Sequence, residues 1–255
     1  MKLSPIIKTI VIVSLIAALV IGANIWRNNS VVRDVKVEID YQGGDTLITP
    51  EAVKSLIDEA MPTLYTTLLS QVDTRAVEEI AARSPYLTHL HANVSLGNAV
   101  VLYATQRRPV VRVMVGASEY YISQSGHLMP VSRYGSSNVI VAGGYLPPFD
   151  SDCRDTVTNA ALHDIWVLAR HLDSSPCGDL FDQIYRDDRG DLYLTPKIFS
   201  HIVQVGSAEN LDHKFHNLQV FYTQGLPQAG WDTYSEVSIK YRNQIVATHK
   251  SPTTH

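Results

Sequence analysis

Ten histidines, two cysteines and a knot of aspartates are the residues in this chain able to hold a metal or activate water. His213 and His216 stand three apart in a helix-patterned segment, so one face could offer both to a cation. A zinc-protease helix adds a glutamate and a further ligand at fixed spacing, and neither accompanies this pair, which reads as surface histidines. His171 falls near the end of another helical stretch, where the macrodipole favours it. Ser123-Gln124-Ser125-Gly126 lacks the Gly-x-Ser-x-Gly pattern of a nucleophile elbow and reads as a hairpin turn. Gly143-Gly144 runs into Tyr-Leu-Pro-Pro, so it cannot open a helix that cradles phosphate. Asp187, Asp188 and Asp191 surround Gly190 without the spacing or terminal glutamate of a calcium loop, and read as a solvated turn. The sequence offers no catalytic constellation and no metal or cofactor site.

The elements that would position these residues come from an ordinary globular composition, 45% hydrophobic and 18% charged over 255 residues, enough for one or two cores. A formal net charge of −4 gives no electrostatic reason to expect nucleic acid. Cys153 and Cys177 invite a disulfide in an exported chain. A helix read from about Asp155 to His171 lies between them, roughly 25 Å long, and the few flanking residues would have to stretch almost fully to close it. Two buried or half-buried thiols are the alternative.

The N-terminus carries Lys2 and Lys8, then an uncharged apolar run from Thr9 to Trp26. That run is long for a signal core and at the short end for a membrane helix. Trp26 and Arg27 sit where an interfacial aromatic and a flanking charge belong. The expectation is an uncleaved anchor, residues 9–26, with residues 1–8 in the cytoplasm and everything after Trp26 exported; a cleaved signal peptide is the alternative.

Beyond the anchor, "VVRDVKVEID" alternates as a strand. "TPEAVKSLIDEA" has Thr49 as cap, Pro50 at the first helical position and an apolar stripe of Val53, Leu56, Ile57 and Ala60. "DTRAVEEIAARSP" repeats the device, with Asp73 as cap and Ala76, Val77, Ile80 and Ala81 facing inward. Two alternating runs around Gly97-Asn98 then form a hairpin. The order strand, helix, helix, strand, strand predicts a small α+β domain over residues 27–107. From residue 108 to 249 strands dominate, with two helices: Asp155 to His171, whose stripe includes Val157, Ala161, Ile165, Leu168 and Leu172, and a second built on Leu211, Phe215, Leu218 and Tyr222. Residues 250–255 form a tail. The last segment, "YSEVSIKYRNQIVATH", puts Val237, Ile239, Tyr241 and Ile245 on one face, with a break at Arg242-Asn243-Gln244. A strand at the end of a chain can lie at a sheet edge, where its backbone groups can pair with another molecule. Parity puts Val246 and Thr248 on the opposite face and makes Val246 the position at which proline would test such pairing.

This layout resembles the FtsQ/DivIB cell-division family, in its Bacteroidetes-type form. The likeness rests on three places: "VKVEI" through "TPEAVKSLI" to "VEEIAARSPYLTHLHANV"; the junction "TQRRPVVRVMVGASEYYISQSGHLMPV"; and the end, "VGSAENLDHKFHNLQVFYTQG" with "GWDTYSEVSIKYRNQIVAT". No single motif is decisive; their order is what carries the likeness. The resemblance implies a non-enzymatic, single-pass protein of the bacterial inner membrane. A POTRA-like βααββ domain and a larger β domain would lie in the periplasm, enriched at the division septum. It implies partners like FtsB and FtsL, one of which adds a strand beside the last strand, here through Tyr241, Asn243, Gln244, Ile245, Val246, Ala247, Thr248 and His249. POTRA modules also serve outer-membrane assembly and secretion, but the C-terminal half has few strands long enough for a membrane barrel. An anchored hydrolase using His163, Asp164 or His213 is a third class.

Overall fold

The computed structural model describes residues 11–19, 21–22, 29–42, 44–95, 97–152, 158–242 and 244–251. Residues 11–19 and 21–22 are helical. Among the described residues no helix is long and apolar enough to cross a membrane, so the membrane helix read at residues 9–26 has no support from the structure. Residues 9, 10, 20 and 23–26 of that span lie outside the described residues. The chain divides into two compact units, one of Met1–Gln42 and Ile48–Gln106, the other of Gly43–Leu47 and Arg107–His255.

The first unit is a three-stranded sheet backed by two helices. β1 (Asp34–Asp40) runs parallel to β3 (Ala99–Gln106), which pairs antiparallel with β2 (Leu87–Val94) across the hairpin at Asn98, whose φ is 59°. α1 (Pro50–Ala60) starts because Thr49 accepts the Ala52 N–H at 3.3 Å and Pro50 needs no acceptor for a missing donor. α2 (Thr74–Ala81) is capped by Asp73, which accepts the Ala76 N–H at 3.2 Å. Val53, Ile57, Val77 and Ile80 meet Val35, Val100 and Leu102 in one core. Leu56 packs at the edge of that core, whereas Ala60, expected in the stripe, is exposed because it closes the last turn.

The second unit is one nine-stranded sheet. Its strands are β4 (Pro109–Val115), β5 (Ser118–Ser123), β6 (Leu128–Pro130), β7 (Ile140–Gly144), β8 (Phe181–Arg186), β9 (Leu192–Pro196), β10 (Ile202–Gly206), β11 (Tyr234–Ser238) and β12 (Val246–His249). Their spatial order is β12-β11-β10-β9-β8-β7-β4-β5-β6. Parallel neighbours need crossovers. The parallel pair β7/β8 is bridged by α3 (Ala160–Ser174), and the parallel pair β10/β11 by α4 (Leu211–Val220), a π-helical turn (Phe221–Gly225) and α5 (Leu226–Ala229). One row of paired residues crosses seven strands: Val113, Ala142, Ile184, Leu194, Val203, Val237 and Ala247. Leu162, Ile165, Leu168 and Leu172 of α3 and Leu211, Phe215 and Leu218 of α4 join the same core.

Two helix expectations are corrected here. α3 begins at Ala160 rather than near Asp155, because Asn159 caps it by accepting the Ala161 and Leu162 N–H groups at 2.9 and 3.4 Å; Val157 of the expected stripe lies outside the described residues. The last helix is not continuous. Pro227 has no N–H to give the carbonyl four residues back, and the ladder slips into a π turn before α5. Cys177 is a half-buried free thiol, while Cys153 lies outside the described residues.

Candidate functional site

The segment from Tyr234 to Lys250 forms the candidate site. Val237 of β11 and Ile239 just beyond its end are buried in the core, as their alternation requires. Tyr241 does not follow them: it is 52% exposed in the turn between the two strands, which corrects its expected place on the core face. The polar Arg242-Asn243-Gln244 triplet is the signal for that turn; Asn243 lies outside the described residues. Gln244 is exposed and Ile245 packs against the core as the chain enters β12. Ala247 is half-buried on the core side, while Val246, Thr248 and His249 are exposed.

Among the described residues β12 has a single strand neighbour, β11, and stands at the end of the sheet. Which of its groups are already used follows from two backbone bonds. The Lys250 N–H donates to Thr233 O at 3.0 Å, and the Ile239 N–H donates away from β12, to Gln204 O at 2.8 Å. Alternation then turns the N–H groups of Val246 and Thr248 inward to β11 and leaves those of Ala247 and His249 on the outer edge. Proline at Val246, the position that parity alone recommends, would strike the inner ladder; Ala247 is the residue whose N–H faces outward.

Both ends of β12 are fixed. Beside its start, a cavity of about 360 Å³ lies between the last helix and the strand, with Val220, Phe221 and Ile245 as its apolar walls and Asn217, Gln224 and Gln244 at its polar rim. Beyond its end, Lys250 Nζ donates to Ser200 Oγ at 2.8 Å and to Asp232, and the rings of Tyr234 and His249 stand 4.9 Å apart. Beyond the end of β11, Lys240 lies across Gly206 to reach Asp191 Oδ2 at 2.5 Å; a Cβ on Gly206, whose φ is +74°, would come within 2.6 Å of the lysine Cγ.

The other chemically suggestive residues do not assemble. His213 and His216 are both exposed, with His213 Nδ1 3.3 Å from the Asn217 amide, and His163 is exposed on α3 with its ring 5.6 Å from that of Trp166. Ser123 N–H donates to His127 O at 2.9 Å around Gly126, closing a hairpin turn. Burial opposes ionisation of Asp187, yet the N–H groups of Asp191 and Arg189, at 2.8 and 3.0 Å, hold its carboxyl below the usual range. Among the described residues no group of three or more His, Cys, Asp or Glu side chains is placed to hold a metal ion.

A cluster that sequence reasoning missed lies under the same helix. His201 is 1% exposed; its Nε2 is 2.9 Å from the Tyr222 hydroxyl, and its ring stacks on Phe199, which stacks in turn on Trp231. No spacing rule links residues 199, 201, 222 and 231, so only the fold could bring them together.

The sheet packs α3 and α4 into one core and ends on the edge strand β12, an α+β architecture. Residues 108–248 match the family described as FtsQ/DivIB, C-terminal related, and the chain belongs to that family. This family points to a role in cell division and is a non-catalytic one. No curated protein matches the chain.

Proposed function

We propose that the chain is a membrane-anchored division scaffold that docks a partner by strand addition at β12. The observation that carries this reading is the edge itself: β12 pairs with β11 alone, and its Ala247 and His249 backbone groups point outward. A partner strand would gain main-chain hydrogen bonds there, and its alternate side chains would meet Val246 and Thr248 on one face and Ile245 and the neighbouring cavity on the other. The partner is a protein like FtsB or FtsL, and an anchor at residues 9–26 holds this chain in the inner membrane at the septum. The first unit, with its strand-helix-helix-strand-strand order, serves as a POTRA-like domain. Family membership and the apolar N-terminal run support this placement.

The test is Ala247→Pro, measured by titrating the exported part against the FtsB-like partner with thermal melting alongside. Proline removes one outward N–H and crowds the incoming strand, so binding should weaken by on the order of tenfold or more while melting is nearly unchanged. A variant that melts normally and binds at full strength would rule out β12 as the docking edge.

A further inference from the structure

We infer that His171 and His201 form a two-point, acid-sensitive latch that seats the last helix on the sheet. The two histidines come from different elements and grip the same helix seven residues apart. His171, in the last turn of α3, holds its ring 4.8 Å from Phe215 of α4. His201, at the entry to β10, meets the hydroxyl of Tyr222 at 2.9 Å. Residues 215 and 222 are seven apart, about two turns, so one contact acts within α4 and the other on the π-helical turn that follows it.

Each ring has one nitrogen with no partner. His171 Nε2 and His201 Nδ1 are both buried and make no hydrogen bond. A neutral imidazole tolerates this, because it has a single N–H to place. An imidazolium has two. At His201 the site supplies one oxygen, that of Tyr222, so the second N–H would be buried without an acceptor. At His171 the Asp212 carboxylate lies 3.5 Å from Nδ1 but is fully exposed, and among the described residues buried Nε2 has no hydrogen-bond partner.

Burial acts on both rings in the same sense, while the neighbouring charges differ. Burial lowers the pKa of His201, and Lys250 lowers it further; Asp232, which holds Lys250, moderates that positive field. Burial lowers the pKa of His171, with Asp212 opposing it. His216 and Cys177 border the same cleft as His171, and His216 adds no negative charge. Burial therefore holds both rings toward the neutral form in the folded chain. A histidine whose folded pKa is depressed leaves stability intact above its unfolded value, about 6.5, and withdraws it as the pH falls toward the folded value. Acid thus acts on both grips at once. The helix they hold also walls the cavity beside Gln244 and Ile245, so unlatching would remove one side of the approach to β12. That last consequence rests on the docking reading above; the latch itself does not.

The experiment is hydrogen exchange on the full chain at pH 7.5 and pH 5.0, corrected for intrinsic exchange, reading peptides within residues 211–225 against the β2 and β3 strands of the first unit. Protection of 211–225 should fall at least about tenfold more than that of the reference strands. The double variant His171→Gln and His201→Gln, which cannot titrate, should show no such difference. Equal behaviour of the two regions in the natural chain overturns the latch, as does an acid response that persists in the double variant. Should that variant fail to fold, proton NMR titration of the natural chain decides: two histidines with pKa below 6.5 whose titration tracks the loss of protection support the latch, and their absence overturns it. Partner binding by β12 at pH 7.5 is untouched by either result.

Discussion

The nine-stranded sheet has two ends, and they are built differently. At one end β6 is three residues long, buries Leu128 and Met129 almost completely, and closes on Pro130, which has no N–H to offer. At the other end β12 holds Val246 at 45% exposure, keeps Thr248 and His249 in solvent, and has no proline within it. Both are edge strands, yet β6 is tied in by its side chains, and a short, proline-ended strand is a usual device for blunting an edge. β12 is tied in by a ladder on one side, by Ile245 and Ala247, and by the Lys250 contacts at its end. The docking proposed above uses this difference: one edge is closed by side chains, and the other has backbone groups facing outward.

The largest expected effect lies at the closed edge. Met129→Asp places a carboxylate at a fully buried position beside Tyr121, its partner in β5. An unpaired buried charge there should cost roughly 3–5 kcal/mol and lower the melting temperature sharply. A melting curve close to that of the natural chain would mean the β6 edge is not packed as described, and the contrast with β12 would fail. At the open edge, Val246→Pro comes next. It removes an inward N–H from the β11 ladder and leaves its acceptor unmatched, for about 1–3 kcal/mol. Ala247→Pro should cost clearly less. Thermal melting of the two side by side checks the register of β12: equal losses would show that inward and outward groups have been assigned wrongly.

Local patterns carried much of this architecture. Thr49-Pro50 and Asp73 mark helix starts because capping is decided within four residues, and Gly97-Asn98 marks a hairpin for the same reason. Val237 and Ile239 announce a buried strand by alternation alone. The strand order is another matter. Parallel pairing of β4 with β7 and of β10 with β11 joins segments separated by whole hairpins or helices, and nothing local encodes it. Tyr241 was misplaced because period-two reasoning was carried through a turn. The strand of the candidate site is legible in the sequence, but not its shorter extent, Val246–His249, nor which of its N–H groups face outward; both depend on the phase of β11 against β10. His201 and Tyr222 could not be paired from sequence, since two unrelated elements bring them together.

The smallest expected effect is Val246→Lys, and it sharpens the comparison from the other side. Val246 is exposed and projects from the face opposite Ile245 and Ala247, so a lysine there buries no charge and displaces no core atom. Stability should change by no more than about 0.5 kcal/mol, within the range of ordinary surface substitutions. An edge lysine also discourages nonspecific pairing between copies, because a strand laid alongside would have to accommodate its charge. The measurement is a melting curve together with light scattering on concentrated protein. A loss of a kilocalorie or more would mean that something covers Val246, and the bare edge at β12 would be no more open than the closed one at β6. An unchanged melting temperature, set beside the collapse expected of Met129→Asp, would establish that the two ends of one sheet are held by different forces: side-chain burial at β6, and a single ladder of backbone hydrogen bonds at β12.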